Sequence, residues 1–203
     1  MRGAPAKRYD QAYFDRWYRD PEHRVGLPAD LERKIAMVLA ISEHYLGRKL
    51  RTVLDVGCGE APWQPVLKRL RPGLHYLGLD SSDYVVGRYG LTRNIRPLRF
   101  GQLAEQRFDE GPFDLLICAD MLHYVPTAEL LRGLSGFAEL CDGVAYLELM
   151  CKEDDFLGDH VGFLARTRQW YRRRFLDAGF LPIGSHCYLG ERLRMGTMAL
   201  ERS

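Results

Sequence analysis

The sequence predicts an α/β domain: a doubly wound, mainly parallel seven-stranded sheet with an antiparallel last strand. Three observations carry this. From residue 31 to residue 180, short strand-like runs alternate with segments of helical period. The run Phe113 to Cys118 is almost wholly apolar, as in a strand buried on both faces. The two closing strand-like segments, near Leu181 to Tyr188 and Leu193 to Leu200, have no helix between them. Gly190-Glu191 would turn one back beside the other.

The elements follow in order. Asp30 is placed to cap a helix whose apolar face is Leu31, Ile35, Val38, Leu39 and Leu46. Thr52 to Val56 reads as the first strand, ended by Gly57-Cys58-Gly59, and Pro62 suits the first turn of the helix that follows. That helix stops at Arg71-Pro72-Gly73. Tyr76 to Leu79 is the second strand and runs into Asp80-Ser81-Ser82; a weaker third strand is expected near Leu98 to Phe100. After the fourth, Leu130, Leu131, Leu134, Phe137 and Leu140 mark a helix, and Val144 to Met150 a fifth strand. Trp170, Tyr171, Phe175 and Ala178 line a last helix that ends at Gly179. Residues 1–30 read as an N-terminal lid or cap segment and residues 31–203 as the core of one domain. No repeat or linker divides the chain.

Composition narrows the class. Twenty-nine basic and 27 acidic residues leave a formal charge of +2, which does not call for a nucleic-acid partner. No apolar run approaches the ~20 residues that span a bilayer, and the charged, aromatic N-terminus is unlike a signal peptide. Cys58, Cys118, Cys141, Cys151 and Cys187 are odd in number and contain no C-x-x-C. They read as reduced thiols of a cytoplasmic protein. The six histidines are scattered, and no metal site is expected. His186 and Cys187 adjoin, but on the expected strand they would point to opposite faces.

In doubly wound sheets a ligand binds at the carboxyl ends of the strands. Gly57 and Gly59 stand at such an end, where the lack of Cβ permits a sharp turn and close backbone approach. Asp80 ends the next strand, and a carboxylate there can accept both hydroxyls of a ribose. Strand, glycine loop, helix, strand and acid within thirty residues is a nucleoside-binding arrangement. The dinucleotide pattern needs Gly or Ala where Pro62 stands, and no G-x-x-x-x-G-K-[ST] loop is present. A ribose without a pyrophosphate fits better.

With these residues in view, the chain resembles the class I S-adenosylmethionine-dependent methyltransferases. Val53-Leu54-Asp55-Val56-Gly57-Cys58-Gly59 is similar to the family's glycine loop, and Tyr76 to Ser82 to its second strand and ribose-binding acid. Phe113 to Pro126 resembles its fourth strand and following turn, and Trp170 to Phe180 its last helix. The resemblance implies the Rossmann-like methyltransferase fold, S-adenosylmethionine as cofactor and methyl transfer to a small-molecule acceptor. It implies that Asp55 steadies the loop or faces the methionine ammonium, and that Gly57, Cys58 and Gly59 run beside the methionine and ribose. Asp80 would bind the ribose hydroxyls, with Ser81 beside the adenine and Gln102 and Leu103 at its edge. The carbonyl of Ala119 would meet the ammonium. Ala61 stands where a third glycine is frequent.

On the acceptor side, methyl transfer is a displacement, so alignment is the first requirement and a base is optional. Asp120, His123 and Tyr124 follow the fourth strand, and His123 is the candidate base beside a reading in which it only packs. Asp159-His160 is a second candidate pair. Tyr9, Tyr13, Phe14, Trp17 and Tyr18 sit at helical spacing, with Tyr13 and Trp17 assigned to the substrate pocket. Arg166, Arg168, Arg172, Arg173 and Arg174 read as a solvated helix face, with contact to nucleic acid or an acidic substrate as the alternative. Two other functions stay open at this point: a nicotinamide-dependent oxidoreductase and a non-catalytic S-adenosylmethionine-binding module. The sequence leaves the oligomeric state and the acceptor atom unassigned.

Overall fold

The computed structural model of the protein describes residues 7–198. Seven strands form one sheet: β1 Thr52–Val56, β2 His75–Asp80, β3 Ile95–Pro97, β4 Phe113–Ala119, β5 Cys141–Glu148, β6 Leu181–Gly184 and β7 Cys187–Leu189. Their order is β3-β2-β1-β4-β5-β7-β6. The pairs β1–β2, β1–β4, β2–β3 and β4–β5 are parallel, whereas β7 runs antiparallel to both β5 and β6. The winding reverses between β1 and β4, so a crevice opens at the carboxyl ends of those strands.

Side chains alternate across the sheet with period two. Leu54, Val56, Leu77, Leu79, Leu116 and Cys118 face one layer, where α5 Thr127–Leu134, α6 Phe137–Leu140 and α7 Arg168–Asp177 supply Leu130, Leu134, Phe137, Tyr171 and Phe175. Val53, Tyr76, Leu115, Ile117, Val144 and Tyr146 face the other. There α2 Pro28–Leu46 and α3 Trp63–Leu70 bring Ile35, Val38, Leu39, Trp63 and Leu67. The helices are capped locally: Thr167 Oγ1 accepts the Trp170 N–H (3.2 Å) at the start of α7.

The structure departs from the sequence expectations at several places. The helix α2 begins at Pro28, and Asp30 lies inside its first turn, where its carboxylate accepts the Leu27 N–H (3.3 Å). The third strand is Ile95–Pro97, and Phe100 instead opens a 3-10 helix, Phe100–Glu105. The expected helix through Leu140 is broken at Ser135-Gly136, where a Cβ on Gly136 would stand 2.7 Å from the Ala104 Cα. A helix not foreseen, α4 Asp83–Arg93, starts at Ser82, whose Oγ accepts the Val85 N–H (3.1 Å).

The largest correction is at the end of the chain. The segment expected as one strand from Leu181 to Tyr188 is a tight hairpin of β6 and β7. Gly184, Ser185 and His186 turn it with φ of +100°, +48° and +61°, so His186 lies in the turn and not on a strand. Gly190 then precedes a short helix, α8 Glu191–Arg194, and no strand forms over residues 193–198. Residues 199 and 200 of the expected last strand lie outside the described residues. The antiparallel member is therefore β7, between β5 and β6. No helix among the described residues is long and apolar enough to cross a membrane.

Candidate active site

The glycine loop leaves β1 with Gly57, Gly59 and Ala61 all in the left-handed region, at φ of +69°, +53° and +54°. A Cβ on Gly57 would stand 2.7 Å from Met121 Cγ, and one on Gly59 3.2 Å from Phe14 Cε1. The N–H groups of Gly57 and Cys58 both donate to the Leu79 carbonyl, at 2.8 and 3.1 Å, which ties the loop to the end of β2. Cys58 is buried, and its Sγ lies 2.8 Å from where Gly78 would carry a Cβ, so a small residue is needed at each position. Asp80 completes the arrangement. Its Oδ2 accepts the Gly59 N–H (2.7 Å) and its Oδ1 the Ser82 N–H (2.8 Å). Burial pushes the Asp80 carboxyl up, and the backbone N–H bonds oppose that.

Asp55 lies beneath this loop, 3% exposed, and accepts the Tyr76 hydroxyl at 2.6 Å. Burial pushes its carboxyl up to about 7; the Tyr76 bond opposes the rise and the nearby Asp80 charge adds to it. The expectation that Asp55 steadies the loop is not met through backbone bonds. Those amides go to Leu79 and Asp80 instead. Ser81 is exposed. Gln102, also exposed, turns its Oε1 back to the Arg99 N–H (3.0 Å), and Leu103 is fully buried in the core.

Asp120 follows Ala119 at the end of β4 in the left-handed region, with φ +59°. Its N–H donates to the Glu148 carbonyl (2.8 Å), joining the ends of β4 and β5. The cleft walls, and then the Glu148 carboxylate, push its carboxyl up to about 6, while its side chain, 54% exposed, remains partly screened by water. His123 is fully buried among Tyr124, Phe156 and Phe163. Its Nδ1 accepts the Met150 N–H (3.3 Å), which assigns the proton to Nε2. Burial, with Lys7 and Arg166 adding, pushes the imidazole down to about 4. Nε2 has no hydrogen-bond partner and lies 3.7 Å from Asp120 Oδ1.

The N-terminal segment lies over this crevice. Asp10 accepts the Tyr13 N–H (3.1 Å) to start a short helix, α1 Gln11–Phe14, which widens into a π-helical turn over Asp15–Arg19. Phe14 is buried against Gly59 and packs with Tyr13, Tyr18 and Tyr84. Arg19 Nη2 pairs with Glu60 (2.6 Å), and Ser82 Oγ donates to the Tyr9 carbonyl.

Of the residues assigned to the substrate pocket, Tyr13, Trp17, Asp120 and Tyr124 converge on one cavity of about 70 Å³, and His123 stands behind its wall. Sequence reasoning did not assign Tyr18, Met150, Phe156 or Leu157 to this cavity, and it gave Asp159 only as half of a candidate pair. His160 stacks on Phe156 with ring centroids 4.3 Å apart. Most of these residues belong to the stretch 151–167, where no regular element gives a periodic signal. Arg166 is also no member of a solvated face. It donates to the carbonyls of Leu122 (3.4 Å) and Val125 (2.7 Å) and to the Tyr171 hydroxyl (3.0 Å), fixing the turn that carries His123 and Tyr124.

The group present fits a cationic nucleoside. Gly57 and Gly59 leave room that a Cβ would fill. Asp80 and Asp120 border one crevice and Asp55 lies beneath it; burial pushes all three carboxyls up, and a bound cation would favour their charged forms. Among the described residues, no cluster of three His, Cys, Asp or Glu side chains is arranged to hold a metal ion.

A family model described as a methyltransferase domain matches residues 26–189. No curated protein matches the chain. Among solved structures, an O-methyltransferase family protein from Burkholderia thailandensis superimposes with a TM-score of 0.53 at 16% identity, over 81% of this chain; the match spans 58% of that relative's length. Magnesium protoporphyrin IX methyltransferase from Synechocystis PCC 6803, with bound SAH, gives 0.58 at 22% identity, over 85% of this chain and 86% of that one. The SAM-bound amino pentose methyltransferase from Micromonospora echinaspora gives 0.59 at 16% identity, over 78% and 90%.

Proposed function

The chain belongs to the methyltransferase family, of the class that takes its methyl group from S-adenosylmethionine, and from that premise we propose that its acceptor is a small molecule bound between the N-terminal segment and the end of β4. The observation that carries the cofactor half is the Asp80 carboxylate. It holds Gly59 and Ser82 by one backbone bond per oxygen and keeps lone pairs free to accept a ribose diol. The acceptor half rests on the partly open cavity where Tyr13, Trp17, Tyr124 and Asp120 meet. A pocket of that size and aromatic lining suits part of a small molecule.

S-adenosylmethionine supplies a methyl carbon activated by its positively charged sulfur. The residues of this chain align the acceptor and exclude water, and orientation of that kind contributes up to ~7–11 kcal/mol. Where the acceptor must lose a proton, Asp120 is the base we assign. Its carboxylate opens to the cavity and has been pushed toward neutrality, whereas the Nδ1 lone pair of His123 is committed to the Met150 N–H. Asp80 offers its carboxylate to the ribose, and Asp55, whose carboxyl is pushed up to about 7, is the acid beneath the loop that a cationic ammonium would draw toward its charged form. The deciding experiment is calorimetric titration with S-adenosylhomocysteine and, separately, NAD, followed by a metabolite screen scored by S-adenosylhomocysteine release. Micromolar binding of S-adenosylhomocysteine without NAD binding is expected. Saturable NAD binding alone would overturn the reading.

A further inference from the structure

The amine of Lys7 occupies an aromatic cage at the wall of the acceptor cavity. Its Nζ lies 3.4 Å from the centroid of the Tyr124 ring and 5.2 and 5.3 Å from those of Tyr9 and Tyr13, all within the ~6 Å over which a ring face attracts a cation. Asp159 Oδ2 lies 2.6 Å away, and Nζ donates to the Val161 carbonyl at 3.2 Å. The Lys7 and Asp159 side chains are 13% and 9% exposed, which is low for a lysine and an aspartate.

Three of these groups also form the acceptor site. Tyr13, Tyr124 and Asp159 line the inner cavity, and Lys7 lines an outer groove that shares Tyr13, Trp17, Gly158 and Asp159 with it. The ammonium therefore stands at the boundary between groove and cavity. The cage is held by more than Lys7, because the Tyr124 hydroxyl donates to the Asp159 carbonyl and fixes ring and carboxylate relative to each other. Lys7, Tyr9 and Tyr13 all precede the region matched by the family model, so half of the cage is contributed by a segment outside the shared core.

We propose that this cage is the substrate-recognition subsite, that the acceptor molecule carries a cationic amine seated where Lys7 Nζ lies, and that Lys7 is an internal competitor which that amine displaces. The proposal rests on the small-molecule methyltransferase reading above. A tethered competitor lowers the apparent affinity of a free ligand by the fraction of time the site is open. Removing it should therefore raise affinity for simple amines.

The test titrates n-butylammonium and tetramethylammonium into the wild type, Lys7→Ala and Lys7→Gln, with and without S-adenosylhomocysteine, using n-butanol as the uncharged control. Thermal unfolding confirms that each variant is folded, and the more conservative Lys7→Gln serves if Lys7→Ala is not. Expected is a gain of about 10-fold or more in affinity for the two cations on removing Lys7, no gain for n-butanol, and loss of the gain when Tyr124→Leu is added. Equal gains for n-butanol would mean only an apolar hole had opened, and no gain for the cations would mean Lys7 is structural; either overturns the proposal. If S-adenosylhomocysteine fails to bind the wild type, the functional reading fails instead, and the titrations without it still decide the cage.

Discussion

The Tyr76 hydroxyl donates to Asp55 Oδ2 at 2.6 Å, between neighbouring parallel strands and along one face of the sheet. Val53 pairs with Tyr76 and Asp55 with Gly78, so the tyrosine ring rises past a residue that has no side chain to block it. A Cβ on Gly78 would lie 3.4 Å from Tyr76 Cε1 and 2.8 Å from Cys58 Sγ. One glycine thus admits both the phenol that holds Asp55 and the cysteine of the ligand loop.

This relationship makes stability depend on pH. The folded Asp55 carboxyl titrates near 7 against about 4 in an unfolded chain, so the folded protein binds more protons between those values. Its contribution is full below pH ~4 and is lost as pH rises through about 7, a change on the order of 4 kcal/mol. Asp55→Asn keeps an acceptor for Tyr76 and should flatten this dependence. Denaturant unfolding at pH 5 and pH 8 measures it, and the wild type should lose clearly more stability than the variant across that interval. Parallel losses would show that Asp55 titrates normally.

Asp80→Ala removes the acceptor for two backbone amides as well as the proposed ribose contact. Each charge-assisted bond contributes ~1.5–3 kcal/mol, so affinity for S-adenosylhomocysteine should fall by more than about 10-fold. Asp80→Asn, which still accepts, should lose less. Calorimetry on folded variants checks both, and unchanged affinity in Asp80→Ala would remove Asp80 from the site.

The base assignment has a kinetic signature. Asp120 acts when deprotonated, so with an acceptor that must lose a proton, kcat should rise with pH through about 6. Asp120→Asn should lower kcat by ~10²–10⁴-fold and remove that limb. A surviving limb displaced toward 4 would identify His123 instead.

The glycine loop was the most legible part of the molecule, because a glycine pair between strand and helix and an acid ending the next strand are both local signals. Asp80, Gly57 and Gly59 lie together as the spacing requires. What the sequence concealed has physical causes. β3 has one buried residue, Ile95, so it shows no alternation, while the apolar Phe100 beside it enters the core from a 3-10 helix. Within α4, Gly87 and Gly90 dilute the helical signal, and only Val85 is buried. The final hairpin turns at Gly184-Ser185-His186, where two ordinary residues adopt the left-handed conformation that sequence reading reserves for glycine. The cavity wall from Phe156 to Asp159 lies in irregular chain, and its partners in the segment around Tyr13 are far away in sequence. His123 was legible as a candidate base, but only the Met150 N–H shows that its basic nitrogen is taken.

The N-terminal segment is expected to act as a lid over the crevice. Besides the Lys7 contacts with Asp159 and Tyr124, it is fastened beside the glycine loop by Phe14 on Gly59, Arg19 on Glu60 and the Tyr9 carbonyl on Ser82. Gly59, Glu60 and Ser82 belong to the glycine loop or to the start of α4, so ordering of those parts by a cofactor should also order the segment. On this side of the segment the attachment is light. Arg19 is 45% exposed in its ion pair, and exposed pairs contribute only ~0–1 kcal/mol. Phe14 is the one buried residue of α1 and the π-helical turn that continues it. Local opening is what such a contact set permits, and closure would exclude water from the displacement. Hydrogen exchange should show clear added protection of residues 13–18 with S-adenosylhomocysteine. Phe14→Ala should abolish that gain while leaving protection of β1 and β4 unchanged. Equal protection of residues 13–18 with and without ligand would mean that the segment is fixed packing and not a lid.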